Sequence, residues 1–328
     1  MWGWVLAVPL LSAAGTWFAR RYALRRRLID EPGARRSHAV ATPRGGGAGP
    51  VLALAVLIAG LGLAGRWPGD WRWSLGGLLA VAGIGAWDDH RPLGAGVRLV
   101  THLLAGAALA AGVQLWGEPV QGVGVMLAVA VAVNVWNFMD GIDGIAATQA
   151  LIVALAAAAL GQGDASLRAL AVALAFAAFI PFNFPRARIF LGDVGSGALG
   201  YALVLIALLT PARGSAPVAL LLLFPAAAFL VDAAATLAMR MIQGERWWTP
   251  HTRHLYQAAA RRYGHAPVTL AYGAWSSTGG VLAWALRDAG ESLIMASLAL
   301  WYTAAAGLWA CVQRVFGMKR GGMTERDR

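Results

Sequence analysis

Polar side chains are scarce in this 328-residue chain, and they gather in five stretches. The densest is Asn134-Val-Trp-Asn137-Phe-Met-Asp140-Gly-Ile-Asp143-Gly144, which closes a long apolar run. Four polar side chains recur there every third residue, so a helix keeps them on one drifting face. Oxygen donors at this density suit a hard cation such as Mg²⁺. A second stretch is the pair Asp88-Asp89, directly after another apolar run and ahead of Arg98 and His102. Adjacent carboxylates at a membrane boundary repel each other and are costly to desolvate, which a cation or a shared proton would relieve. The third runs Asn183-Phe-Pro-Arg186-Ala-Arg188-Ile-Phe-Leu-Gly192-Asp193-Val-Gly195-Ser196. Asp193 stands where a helix begins, a place that favours Asp as an N-cap and also binds phosphate. An acid there repels phosphate unless a metal bridges the two.

The fourth stretch carries Arg35, Arg36 and Arg44, followed by Gly45-Gly46-Gly47. Arginine pairs bidentately with phosphate oxygens, and glycines let backbone N–H groups approach an anion. The same loop also reads as a basic inner segment ending in a turn. The fifth, a loop after the ninth apolar block, holds His251, Arg253, His254, Tyr256, Gln257, Arg261, Arg262 and His265. Histidines among arginines, with no cysteine near, point to anion or sugar-phosphate contact rather than zinc. Asp232 stands apart inside an apolar run; it is either a functional intramembrane acid or a buried structural hydrogen-bond partner.

The elements that must carry these stretches are membrane helices. Hydrophobic residues make up 59 % of the chain and charged ones 13 %, with a mean hydropathy of +0.60. Soluble domains carry about 25 % charged residues, so a soluble globular fold is excluded. Apolar blocks lie at 3–19, 48–65, 74–87, 99–116, 120–138, 145–160, 167–182, 195–210, 216–239, 268–286 and 292–315. These lengths are those of bilayer-spanning helices, and the short alternating segments of a β-barrel are absent. The expected fold is an all-α polytopic membrane protein of about 10–11 transmembrane helices. Its multi-pass domain covers 1–316, and 317–328 forms a basic cytoplasmic tail. Arg20 and Arg21 follow the first block and no basic segment precedes it, the reverse of a signal peptide. With the N-terminus outside and the C-terminus inside, 22 of the 27 basic residues fall on the cytoplasmic side, as the positive-inside rule requires. The net charge of +11 then belongs to the inner leaflet rather than to nucleic acid. All five polar stretches face the cytoplasm in this arrangement. Acids among arginines at a lipid boundary suit Mg²⁺-assisted phosphoryl transfer between a water-soluble and a lipid-borne reactant.

Four motifs resemble a known superfamily, the polyprenyl-phosphate N-acetylhexosamine-1-phosphate transferases. They are Thr42-Pro43-Arg44-Gly45-Gly46-Gly47, Asp88-Asp89, Asn134 through Gly144, and Ile189 through Ser196. The resemblance covers most of the chain, in the family's order. It implies transfer of a sugar 1-phosphate, such as that of GlcNAc, from a UDP-sugar to undecaprenyl phosphate, releasing UMP. It implies Mg²⁺, with Mn²⁺ as a substitute, a cytoplasmic-facing site in the bacterial inner membrane, and room for a homodimer. Carried over by residue, Asp88 is the base or lipid-phosphate contact, supported by Asp89. Asp193 and Asp143 bind the metal, and Asn134, Asn137 and Asp140 shape the nucleotide site. Arg35, Arg44, Arg186, Arg188, Arg253 and His254 are the further substrate-binding residues. His251-Thr252-Arg253-His254-Leu255-Tyr256-Gln257 departs from the family's histidine cluster, since only His254 matches cleanly. That disfavours the alternative, phospho-N-acetylmuramoyl-pentapeptide transfer in peptidoglycan synthesis, whose enzymes carry three consecutive histidines. It fits better the enzymes that initiate O-antigen or other surface polysaccharides. A transporter, the alternative of another class, would place charges at the midplane and often carry repeats; only Asp232 answers to that.

Overall fold

The structure, a computed structural model, describes residues 1–31, 33, 40–211, 214, 216–245 and 251–315. It is helical almost throughout. In chain order come α1 (Trp2–Arg26), a two-stranded antiparallel pair β1 (Ile29–Asp30) and β2 (Thr42–Pro43), α2 (Ala48–Leu63), α3 (Trp71–His90), α4 (Ala95–Gly112) and α5 (Pro119–Phe138). Then follow α6 (Ile145–Leu160), α7 (Gly163–Asn183), α8 (Asp193–Leu209), α9 (Val218–Leu221), α10 (Leu223–Ile242), α11 (Leu255–Tyr263), α12 (His265–Ala285) and α13 (Glu291–Val315). Each of the eleven apolar blocks folds as helix. Six helices, α1, α4, α5, α7, α10 and α13, are long and apolar enough to cross a membrane, and α2, α6 and α8 are shorter apolar helices. The molecule is thus an all-α, multi-pass membrane protein.

Burial separates the inner helices from the outer ones. Nearly the whole of α8 from Val194 to Ile206 is buried, with α3, α5 and α6 packed around it. α1 and α13 bury only scattered positions. Leu6, Leu10, Leu104, Val120 and Leu300 are exposed on outward faces, as a lipid-facing surface requires. Packing inside relies on small residues, which let helix backbones close up where lipid removes the hydrophobic drive. Ala146, Ala150, Ala154 and Ala157 of α6 and Ala169 and Ala173 of α7 are fully buried. Gly195 of α8 meets Gly47, at the start of α2, backbone to backbone: a Cβ on Gly195 would lie 2.6 Å from the Gly47 Cα.

Three expectations change. The block at 216–239 breaks at Leu222 into α9 and α10. The fifth polar stretch, expected as a loop, contains the helix α11, whose Leu255, Tyr256, Gln257, Ala258 and Ala260 are buried. Asp193 is not an N-cap: Gly192 holds that position, and Asp193 is the first residue of α8. Arg35 and Arg36, residues 246–250 and the tail 317–328 lie outside the described residues.

Candidate active site

The polar stretches meet at one end of the helix bundle. At its centre, the last turn of α3 faces the start of α8. Asp89 Oδ1 accepts the Asp193 N–H at 3.1 Å, and Oδ2 accepts the Val194 N–H at 3.1 Å. Asp89 therefore caps a helix to which it does not belong, satisfying two of the amides that every helix start leaves open. The residue before them must be glycine. Gly192 has φ +76°, and a Cβ there would lie 2.6 Å from Asp89 Oδ2 and 2.8 Å from the Gly45 nitrogen. With both oxygens engaged and 5 % exposure, Asp89 positions α8.

Asp88 reaches Arg98 and the side chain of Asp193. Its Oδ1 accepts the Leu93 N–H at 2.6 Å, and its Oδ2 accepts from Arg98 Nη1 at 3.0 Å. The same Arg98 nitrogen is 3.6 Å from Asp193 Oδ2, so one guanidinium bridges α3 and α8. Asn137, at the end of α5, donates through Nδ2 to Asp193 Oδ1 at 2.9 Å and to Ser196 Oγ at 3.0 Å. Arg44 donates to the Asp89 carbonyl oxygen, and its Nε lies 4.0 Å from Asp89 Oδ1.

These groups surround a polar cavity of about 220 Å³, lined among others by Arg44, Asp89, Asn137, Asp140 and Asp193. Asp30, Tyr256 and Gln257 complete the rim. Burial first, then the charges of Asp89 and Asp143, push the Asp140 carboxyl up to about 7. A buried carboxyl beside two other acids favours its neutral form until a cation approaches.

The remaining predicted residues fall around this centre. Asp143 does not line the cavity among the described residues; its Oδ1 sits 3.2 Å from His265 Nδ1 on α12. Asn134 donates back to the Ala130 carbonyl at 2.7 Å and stands 3.4 Å from the buried His102 ring. With Arg98 and Asp193 it borders a narrow side cleft. Arg186 and Arg188 are exposed on the loop before α8. The Arg188 guanidinium donates to the Pro181 carbonyl, and its own carbonyl accepts from Arg20 Nε at 3.1 Å. Arg253 pairs with Glu245, which also takes the buried Arg240 at 3.0 Å. His254 is 4 % exposed and lies beneath α11, its ring against His251 and Tyr256.

Asp232 explains why α11 forms and where it sits. Its Oδ1 accepts the Leu255 N–H at 2.9 Å and its Oδ2 the Tyr256 N–H at 3.1 Å. Tyr272 Oη donates at 2.8 Å, Thr236 Oγ1 at 3.1 Å and Trp309 Nε1 at 3.2 Å. It is a second carboxylate capping a helix from a neighbouring one. Tyr256, held in this way, donates from Oη to the Phe138 carbonyl at 3.0 Å, which brings α11 to the cavity rim. Sequence reasoning named Arg98, Tyr256 and Gln257 without giving them a role. The signal for Arg98 was the short connection between α3 and α4, which sets Asp88 and Arg98 on adjoining helix ends.

Among the described residues, no three carboxylate, histidine or cysteine side chains form a ready metal cage. Mg²⁺ does not need one: it is usually held by one or two carboxylates, completing its shell with water and substrate phosphate. Asp193 and Asp140 face the cavity with hard oxygen donors and fit that demand.

An all-α membrane protein with a carboxylate- and arginine-lined cavity at one end of its helices is the class defined so far. Residues 71–210 match the glycosyl transferase family 4 model. The chain is 32 % identical over 247 residues to the decaprenyl-phosphate N-acetylglucosaminephosphotransferase of Mycobacterium tuberculosis, covering 63 % of this chain and 60 % of that one. It is 37 % identical over 157 residues to the phospho-N-acetylmuramoyl-pentapeptide-transferase of Moorella thermoacetica, covering 39 % and 49 %. The Mycolicibacterium smegmatis decaprenyl-phosphate enzyme is 30 % identical over 234 residues, covering 60 % and 57 %. The chain thus spans about half to three fifths of the length of these relatives. These matches support the resemblance that its motifs carry to the polyprenyl-phosphate hexosamine-1-phosphate transferase superfamily.

Proposed function

We propose that the chain transfers an N-acetylhexosamine 1-phosphate from a UDP-sugar to undecaprenyl phosphate at the cytoplasmic face of the bacterial inner membrane. The products are undecaprenyl-diphospho-sugar and UMP, and the reaction starts a surface polysaccharide of the O-antigen type. The observation that carries this reading is Asp193, presented into a polar cavity at a helix start and flanked by Arg44 and Arg98. An oxygen of the lipid phosphate bonds to the β-phosphorus of the UDP-sugar as the bond to the bridging oxygen breaks, and UMP leaves with that oxygen. A phosphate monoester has a second pKa of about 6, so the acceptor is already mostly dianionic at neutral pH and needs no strong base.

The residues divide the work. Asp193 and Asp140 are the candidate ligands of a divalent cation, with Asp143 behind them against α12. That cation supplies neutralisation of the diphosphate charge. Arg98 and Arg44 share the developing negative charge. Asp89 fixes Asp193 through the α8 amides, and Asp88 fixes Arg98. Asn137 orients Asp193, while Tyr256 and Gln257 form the nucleotide-side rim. Asp232, spent on five donors, offers a transporter no free midplane carboxylate.

The test is UMP release by the detergent-purified protein with undecaprenyl phosphate, Mg²⁺ and a panel of UDP-sugars, with EDTA as control. Lipid- and Mg²⁺-dependent UMP from UDP-N-acetylhexosamines supports the reading. Release only from UDP-MurNAc-pentapeptide moves the chain to peptidoglycan synthesis, which the Moorella relative keeps in view. No release from any donor refutes the transferase reading.

A further inference from the structure

His102 is an imidazole buried inside a membrane helix, one turn beyond Arg98 on α4, and only 7 % exposed. Polar groups kept inside membrane helices are costly and mark functional sites. Residues four apart share one helix face, so α4 presents Arg98 and His102 together to α5 and α8. With Asn134, Asn137 and Asp193 they line a cleft of about 20 Å³ beside the polar cavity. Asn137 and Asp193 border both spaces.

The hydrogen bonds fix the state of the ring. Asn134 Nδ2 donates to the Ala130 carbonyl at 2.7 Å and lies 3.4 Å from His102 Nδ1. A carbonyl only accepts, so this end of the amide is its NH₂ group, and the second hydrogen goes to Nδ1. Nδ1 is therefore bare, and the ring proton sits on Nε2. Among the described residues, Nε2–H has no acceptor and Asn134 Oδ1 has no donor. Across the cleft, Asp193 Oδ1 accepts from Asn137 at 2.9 Å, while Oδ2 stands 3.6 Å from Arg98 Nη1, beyond a direct hydrogen bond. A donor, an acceptor and a carboxylate oxygen thus share a space that fits one water, which needs about 10–15 Å³ and a few polar partners.

We propose that His102 is a positioning residue for Asp193: through one water held in this cleft, its Nε2–H tethers Asp193 Oδ2. The water accepts from Nε2–H and donates one hydrogen to Asp193 Oδ2 and the other to Asn134 Oδ1. Asn134 in turn fixes the tautomer that makes the tether work. This tether presupposes the transferase reading above, in which Asp193 holds a divalent cation, and adds a third restraint on that carboxylate beside Asn137 and Arg98.

The experiment compares the full chain in detergent with His102→Leu, which removes the donor, and His102→Gln, which keeps a neutral N–H donor. Mg²⁺ dependence is read twice: from UMP release, and without substrate from the Mg²⁺-induced rise in Tm. A partner that orients a metal ligand is worth about 10–100-fold in metal affinity. His102→Leu should therefore raise both Mg²⁺ midpoints at least about tenfold, and His102→Gln should return them to within about threefold of wild type. ¹⁵N spectra of histidine-labelled protein, with the His102→Gln spectrum subtracted, should show Nε2 protonated and Nδ1 bare at neutral pH. Unmoved midpoints in His102→Leu, whatever its metal-free Tm, assign the ring to packing and overturn the tether. So do midpoints raised equally in both variants, or a ring protonated on Nδ1. Wild type that releases no UMP overturns the transferase reading itself. Wild type that releases UMP yet gains no Tm from Mg²⁺ leaves that reading standing and overturns Asp193 as the cation's ligand, and the tether with it.

Discussion

Asp89→Asn isolates positioning from chemistry. The carboxylate accepts two amides of α8, from Asp193 and Val194, each at 3.1 Å. Asparagine keeps one acceptor and turns an NH₂ group toward the other amide. The helix loses one capping bond, worth about 0.5–2 kcal/mol, and a charge on its dipole, worth up to about 2 kcal/mol when partly buried. Relief of repulsion with Asp88 and Asp140 returns part of this, so a net loss of about 2 kcal/mol is expected. At roughly 2–4 °C per kcal/mol, Tm falls by about 4–8 °C. Catalysis suffers more, because Asp193 is the first residue of the released helix, and a misplacement of about 1 Å costs about 10²-fold. The assay is UMP release against pH and Mg²⁺ concentration, with Tm measured in the same detergent. Positioning predicts a lower kcat, a higher Mg²⁺ requirement and an unchanged shape of the pH profile. Wild-type kcat with a wild-type Mg²⁺ requirement refutes the reasoning, and so does loss of the acid limb of the profile, which would make Asp89 itself the base.

Asp193→Asn should abolish turnover while leaving the metal-free Tm at or above wild type, since it removes an acid from a crowded cluster. It should also lose the Mg²⁺-induced rise in Tm, which at 100-fold saturation is worth about 2.7 kcal/mol; a retained rise would place the cation elsewhere. Asp232→Ala leaves five donors without their acceptor and should cost about 3–5 kcal/mol with a raised UDP-sugar KM, read by Tm and donor kinetics; a change below about 1 kcal/mol contradicts the capping role. Burial first, then His254, Arg240 and Arg253, hold the His251 imidazole down to about 4, below its usual value of about 6.5. The folded state thus favours neutral His251, and this stability, full above about pH 6.5, is lost as pH falls toward 4. His251→Gln should flatten the Tm decline between pH 7 and 5, and an unaltered slope assigns the decline to other groups.

The helices were legible because a membrane leaves the backbone little choice. Apolar runs such as 145–160 and 120–138 coincide with α6 and α5 almost to the residue. The acids were legible as a group, since unpaired carboxylates at helix ends are expensive wherever they occur. What they do to one another was not legible. Asp89 and Asp193 are 104 positions apart, and no local pattern says that one caps the helix of the other. Periodicity also missed α11, a nine-residue helix whose start is fixed by Asp232 from within α10. Asp193 read as an N-cap for a sound local reason, yet its neighbour Gly192 takes that place because Asp89 already occupies the space beside it.

Two of the carboxylates thus solve the same problem in the same way. Asp89 and Asp232 each spend both oxygens on the first amides of a helix from another part of the chain. The helices they pin, α8 and α11, carry Asp193, Tyr256 and Gln257 to the cavity rim. Of the acids left facing the cavity, Asp193 is held by Asn137 and Arg98 rather than used as a cap, and burial, then the charges of Asp89 and Asp143, lifts Asp140 to about 7. Capping acids should therefore tolerate replacement with graded losses in kcat and Tm, set by how far a helix start drifts. Cavity acids should fail completely in turnover while the protein stays folded. A cap variant with wild-type kinetics, or a cavity variant that unfolds before it loses activity, would break the division between frame and chemistry on which the proposed reaction depends.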